Sequence, residues 1–224
     1  GGLIDAGYSV PVRDKRTRAT RYRELEDDFD YAAAELDKSV TARNQIRTVL
    51  ETYKKSLFTE LFPDRGGEWV PKTLIFAKDD NHAEEIVTIV REVFGKGNDF
   101  AKKITYKTIE DPQTLIKSFR VDPFPRIAVT VDMIATGTDI KPVEVVLFMR
   151  DVKSSGYFEQ MKGRGVRTID DGALAQVTPD ARTKTRFILI DAVGVTEGCK
   201  SASQPLERKR SLGFDKLLEQ IAQG

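Results

Sequence analysis

Short runs of apolar residues constrain this chain more than any other feature: KTLIFA at 72–77, RIAVTV at 126–131, VEVVLFM at 143–149 and RFILID at 186–191. They lack the strict polar–apolar alternation of a half-exposed strand, so each predicts a strand covered on both faces. KITYKT at 103–108 reads as a further strand. Helical periods separate these runs, and strands alternating with helices imply an α/β fold with a parallel sheet between two helical layers. In such a sheet ligands gather at the carboxyl ends of the strands, where the loops after Val131 and Met149 are expected to lie.

The helices carry their own start and stop signals. Asp79 or Asp80 can cap a helix running to Phe94, with Ile86, Ile89, Val90 and Val93 on its buried side and Gly95 as its stop. Asp111 followed by Pro112 opens another, since proline at the first helical position loses no hydrogen bond. Before the sheet, Ile46, Val49, Leu50, Tyr53, Leu57 and Leu61 recur at three- and four-residue spacing, which predicts an amphipathic helix over 41–61. The turn at Pro63–Gly67 then marks a boundary between an N-terminal extension, 1–64, and the α/β unit, 65–224. Residues 170–185 read as a polar connection, and Phe214, Leu217, Leu218 and Ile221 predict a closing helix over 211–223.

Composition excludes several classes. The chain has 224 residues, 40% hydrophobic and 32% charged, an ordinary balance for a globular protein. A net charge of +1 supplies no global attraction to nucleic acid, so any such contact must come from local patches. One cysteine rules out an internal disulfide, and with a single histidine no metal site is expected. No apolar run approaches the ~20 residues needed to span a bilayer, and no signal peptide opens the chain; a cytoplasmic location without membrane contact is expected. The opening on Gly-Gly-Leu-Ile suggests a piece of a longer protein. Residues 1–30 read as an extended segment or hairpin whose basic half, including Arg18 and Arg21, could meet phosphates.

The chemistry concentrates between Arg126 and Arg167. Two apolar strands are joined by a loop rich in Thr, Gly and Asp, and a short helix then ends in Gly-Arg-Gly-x-x-Arg. Arginine suits a phosphate-handling edge because its planar fork binds oxygens in pairs and keeps its charge.

VDMIATGTDI at 131–140 resembles motif V of superfamily 2 helicases and translocases, and QMKGRGVR at 160–167 resembles motif VI; TLIFA at 73–77 is similar to motif IV. The resemblance implies a RecA-like second lobe with catalytic roles for Arg164, Arg167 and Gln160. Arg167 would be the arginine finger, and Gln160 would link to the acidic motif of a partner lobe. Nucleotide contacts would come from Gly137, Asp139, Gly163, Arg164 and Arg167, with Asp139 meeting the ribose or the motif VI arginines. Thr136 and Thr138, with Arg18 and Arg21, would contact nucleic acid, while Val131 stands where many relatives carry a phosphate-contacting Thr. No G-x-x-x-x-G-K-[ST] run and no acidic box is present, so the parts that hold ATP and Mg²⁺ belong to a different lobe.

Further segments, GYSVP at 7–11, LEDDFDY at 25–31, AVGVTE at 192–197 and SQPLER at 203–208, resemble the motor (R) subunit of type I restriction endonucleases. That family implies an ATP-dependent translocase of double-stranded DNA that works with a first RecA-like lobe, a nuclease domain and the modification and specificity subunits. This fragment by itself is expected to be inactive and to hold no cofactor. The alternatives are the motor lobe of another superfamily 2 DNA helicase, or a non-catalytic lobe that binds DNA or a partner. A nuclease centre (Asp151-Val152-Lys153) and a dinucleotide fold fit poorly, because the first triplet lacks its preceding hairpin and the second lacks its glycine fingerprint.

Overall fold

The computed structural model describes the backbone at 3–4, 9–13, 20–24, 29–30, 42–132, 139–152, 155–163, 167–185, 187–193 and 211–213, and side chains only between 42 and 193. The chain divides into two compact units, Gly1–Lys38 and Ser39–Gly224. In the first, β1 (Leu3–Ile4) pairs antiparallel with β4 (Phe29–Asp30), and β2 (Ser9–Arg13) pairs antiparallel with β3 (Thr20–Glu24).

The second unit opens with α1 (Arg43–Ser56), which runs on as one π-helical stretch, Leu57–Leu61. There follow β5 (Thr73–Phe76), α2 (Asp80–Phe94), β6 (Ala101–Lys103), α3 (Pro112–Val121), β7 (Ile127–Thr130) and β8 (Val145–Phe148). After them come α4 (Ser155–Lys162), α5 (Asp171–Val177), β9 (Ile188–Asp191) and β10 (Ser211–Gly213). Among the described residues the sheet has six strands in the order β10-β9-β8-β5-β7-β6, all parallel.

Both faces are covered, as continuous apolar strands require. Ile75, Val129, Leu147 and Ile190 join α1 and α2 in one core layer, through Ile46, Leu50, Ile86 and Val90. Leu74, Phe76, Phe148 and Leu189 join α3 and α4 in the other, through Phe119, Phe158 and Met161. The helix expected over 41–61 therefore shares the core of the sheet.

The local signals act as read. Asp79 Oδ1 accepts from the His82 N–H at 2.9 Å, and Asp111 Oδ2 from the Thr114 N–H at 2.9 Å. Gly95 takes φ 62°, a left-handed conformation that stops α2 without the strain a Cβ would add.

Three expectations are corrected. The strand expected at 103–108 lies at Ala101–Lys103, where Lys103 opposes Val129; beyond it Thr105 and Thr108 close a turn, the Thr108 N–H donating to Thr105 O at 3.1 Å. The expected connection at 170–185 contains α5, because Asp170 caps it and Leu174 and Val177 are buried. Ser211–Gly213 is a strand rather than a helix start, drawn out by the open edge of β9; the rest of the expected closing helix lies outside the described residues.

Candidate functional site

Consecutive strands β7 and β8 are separated in the sheet by β5. Their connection must cross β5 and also return from the carboxyl end of one strand to the amino end of the next. Residues 133–138 lie outside the described residues, and the chain re-enters at Asp139. Ile140 is buried, the Val143 N–H donates to Ile140 O at 3.3 Å, and the Glu144 N–H donates to Lys72 O at 2.9 Å beside the start of β5. Asp139 has therefore been carried to the amino-terminal side of the sheet.

Arg167 joins it there. Its Nε lies 3.6 Å from Asp139 Oδ1, with the two side chains 61% and 46% exposed. Half-buried Lys184 donates through Nζ to Lys141 O at 2.8 Å and to Arg167 O at 2.7 Å. Lys141 and Lys184 stand at matching places ahead of β8 and β9, whose first residues Val145 and Ile188 are paired. The two loops leave the carboxyl ends as expected, but they deliver these residues to the opposite side.

Asp170 and Asp171 do not hold Arg167. Asp170 Oδ1 instead accepts from the Gly172 and Ala173 N–H groups at 3.0 and 3.2 Å, as the cap of α5. Gln160 is exposed on α4, which packs through Phe158 and Met161. Gly163 ends that helix, its N–H donating to Glu159 O at 2.8 Å, and a Cβ there would sit 3.1 Å from the same oxygen. Thr136, Gly137, Thr138, Arg164 and Arg18 lie outside the described residues, as does the side chain of Arg21, whose backbone belongs to β3.

A band of buried charge underlies this side of the sheet. Lys72, Arg126 and Glu144 each stand just before a strand and are at most 1% exposed. Arg126 donates to Val70 O at 2.7 Å, Pro123 O at 2.8 Å, Val177 O at 2.6 Å and Thr178 Oγ1 at 2.7 Å. It thereby satisfies the Val177 carbonyl at the end of α5, which the helix cannot satisfy itself. Lys72 Nζ donates to Asp122 O at 2.8 Å and lies 5.0 Å from the centre of the Phe119 ring. Glu144 pairs with Arg65, which also lies 3.7 Å from Asp180. These three line an open cleft of about 530 Å³ together with Arg182, Thr183 and Thr185.

Burial sets the ionisation of the band, because removing a charge from water disfavours the charged form. It holds Lys72 down at about 6, against a nearby Arg126 that lowers it further. It pushes Glu144 up, opposed by Arg65, and holds Lys184 down at about 8, opposed by Glu144 and Asp139. Sequence reasoning missed Lys184 and this band. The available signal was a charged residue directly ahead of an apolar run, as in Lys72-Thr-Leu-Ile and Glu144-Val-Val-Leu.

Among the described residues no cluster of His, Cys, Asp and Glu could hold a metal ion, and no helix is long and apolar enough to cross a membrane. The helicase conserved C-terminal domain matches residues 54–168, half of the chain, and that span includes Asp139 and Arg167. The chain belongs to this family.

Two sequence relatives narrow the kind of helicase lobe. The chain is 31% identical over 179 residues to the type I restriction enzyme EcoKI endonuclease subunit of Escherichia coli K12, covering 76% of this chain and 14% of that protein. To the EcoAI endonuclease subunit of Escherichia coli it is 27% identical over 150 residues, covering 64% of this chain and 18% of that protein. It thus spans under a fifth of these curated relatives, and corresponds to the helicase C-terminal lobe of a type I R subunit.

Solved structures agree on the fold. A fragment assigned to the HsdR subunit of a type I restriction enzyme from Vibrio vulnificus YJ016 superposes with a TM-score of 0.54 at 20% identity, covering 78% of this chain and 33% of that one. S. cerevisiae Dbp5 L327V bound to RNA and ADP BeF3 superposes at 0.53 with 13% identity, covering 87% of this chain and 48% of that one. At such identities the likeness establishes a RecA-like lobe and nothing finer.

Proposed function

We propose that this lobe supplies the arginine-finger half of an ATP site shared with a first RecA-like lobe, within an ATP-dependent translocase of double-stranded DNA. The observation that carries the reading is the Asp139–Arg167 pair: a guanidinium held at one nitrogen by a carboxylate, yet 61% exposed and so able to receive phosphate oxygens. ATP with Mg²⁺, held mainly by the other lobe, supplies the phosphoryl group to be transferred. Phosphoryl transfer asks the protein for positioning and positive charge rather than covalent chemistry. Arg167 provides that charge, Asp139 aims it, and Arg164 adds a second fork. Gln160 ties α4 to the acidic motif of the partner lobe. Gly137 and Gly163 keep the backbone low enough for close approach.

On this reading Thr136 and Thr138, with Arg18 and Arg21, contact the DNA phosphates, and 65–224 carries the site, with α1 from the expected 1–64 extension packed into its core. The nuclease domain of the same subunit and the modification and specificity subunits are the proposed partners, in the cytoplasm. The deciding experiment is steady-state ATPase in a subunit carrying both lobes, with and without Arg167→Ala. A collapse of DNA-stimulated turnover is expected, and an unchanged rate overturns the reading. This chain alone should neither hydrolyse ATP nor bind a fluorescent ATP analogue tightly.

A further inference from the structure

We propose that Lys184, outside both motifs, is a positioning residue that sets the Asp139–Arg167 pair, an inference that rests on the ATP-site reading above. Its Nζ donates to Lys141 O at 2.8 Å and to Arg167 O at 2.7 Å. One of these carbonyls belongs to the arginine itself and the other stands two residues after Asp139. The grip is on main-chain oxygens, so both side chains remain available to each other and to a ligand. An ammonium suits the task because its three N–H groups diverge and can bridge chain segments that share no ladder. Glu144 and Asp139 face the same ammonium and favour its charged form.

Each segment is anchored at its far end, the first by buried Ile140 and Val143 and the Glu144 N–H bond to Lys72 O, the second by the Asp170 cap of α5; Lys184 ties the one to the other. Residues 139–144 and 167–170 belong to no helix or strand. Between the two segments, the Asp139–Arg167 contact itself is long and solvent-exposed. Such a pair contributes at most about 1 kcal/mol and cannot hold two loops in register. Charge-stabilising groups, however, must be placed to within about 0.5 Å. Lys184 makes two direct, charge-assisted bonds where that placement is decided, and the geometry assigns it the work of holding the finger rather than of touching the nucleotide.

The test is a double-mutant cycle on ATPase in a subunit carrying both lobes. Lys184→Met removes the donors and keeps the length. A misplaced finger predicts a kcat lower by roughly 10- to 100-fold. KM for ATP should stay within about threefold, because the effect is on turnover rather than on ground-state binding. In the Arg167→Ala background the same substitution should change nothing further, since the group it positions is gone. Should Lys184→Met not fold, Lys184→Gln, too short to reach both carbonyls, is read in the same way. A kcat unchanged by loss of Lys184, or losses that multiply with those of Arg167→Ala, overturns this inference alone and leaves the ATP-site reading standing. If Arg167→Ala itself leaves the rate unchanged, the site reading falls and this inference with it.

Discussion

Arg167 Nε lies 3.6 Å from Asp139 Oδ1 at the surface, whereas Arg126, in the same unit, is 1% exposed and spends its guanidinium on backbone carbonyls and a threonine hydroxyl. Environment separates the two arginines. An exposed ion pair is screened by water and adds little to stability, while a buried guanidinium that makes four hydrogen bonds is costly to remove.

For Arg167→Ala, ATPase of the two-lobed subunit should fall by about 10³ or more, the scale of an arginine finger. Melting of this chain should move by less than about 4 °C, because an exposed pair is worth at most about 1 kcal/mol. Lysine at 167 restores one charge without the fork and should rescue little. Calorimetry beside steady-state turnover checks both halves, and a large melting shift with normal turnover would make Arg167 a structural residue.

Arg126→Met should do the reverse. It strands Val70 O, Pro123 O, Val177 O and Thr178 Oγ1 without their donor, so roughly 3–5 kcal/mol of stability should be lost, as when one partner of a buried polar cluster is removed. Urea unfolding of the chain measures this directly, and a loss under about 1 kcal/mol would show that water replaces the guanidinium at those acceptors cheaply.

Lys72 gives stability a pH dependence. Its folded pKa of about 6 lies below the model-compound 10.5, so between those values the unfolded chain binds a proton that the fold has released. Stability contributed by this group therefore rises with pH across that window, by up to about 1.4 kcal/mol per pH unit. Lys184 contributes with the same sign above about 8 and remains in the variant. Unfolding free energies of the wild type and Lys72→Met should accordingly diverge in favour of the wild type as pH rises from 6 to 9. A constant gap would mean that the Asp122 and Pro125 carbonyls and the Phe119 ring keep Lys72 protonated.

Leu50→Ala probes α1. Leu50 is fully buried in the layer that also holds Ile75 and Leu147, so truncation should cost about 2–5 kcal/mol. A nearly neutral effect on urea unfolding would mean that α1 can detach from the sheet.

DNA binding by this chain should be weak, indifferent to sequence and steeply salt-dependent, with a log–log slope near −0.9 for each phosphate neutralised. Fluorescence anisotropy across a salt series should show Arg21→Ala reducing that slope by about 1. Sequence discrimination, or affinity indifferent to salt, would count against the proposed contacts.

Much of the architecture was readable from residues alone because the forces behind it are local or patterned. Strands β5, β7, β8 and β9 are buried on both faces and so must be apolar nearly throughout, whatever their neighbours. Asp79 and Asp111 cap their helices through N–H groups three residues on, a distance that sequence spans by itself. The strings at 131–140 and 160–167 could likewise be seen by eye, and the family match, 54–168, covers both.

Other features exist only where distant segments meet. Helix α5 is too short to persist alone; it forms because Leu174 and Val177 find the core and Arg126 reaches its last carbonyl, that of Val177. The edge strands β6 and β10 are defined by the ladders that β7 and β9 offer, not by their own apolar patterns. The meeting of Asp139 with Arg167 under Lys184 follows from the crossing of β5 by the β7–β8 connection. Lys184 was invisible beforehand because its partners are carbonyl oxygens, which every residue carries and no sequence marks.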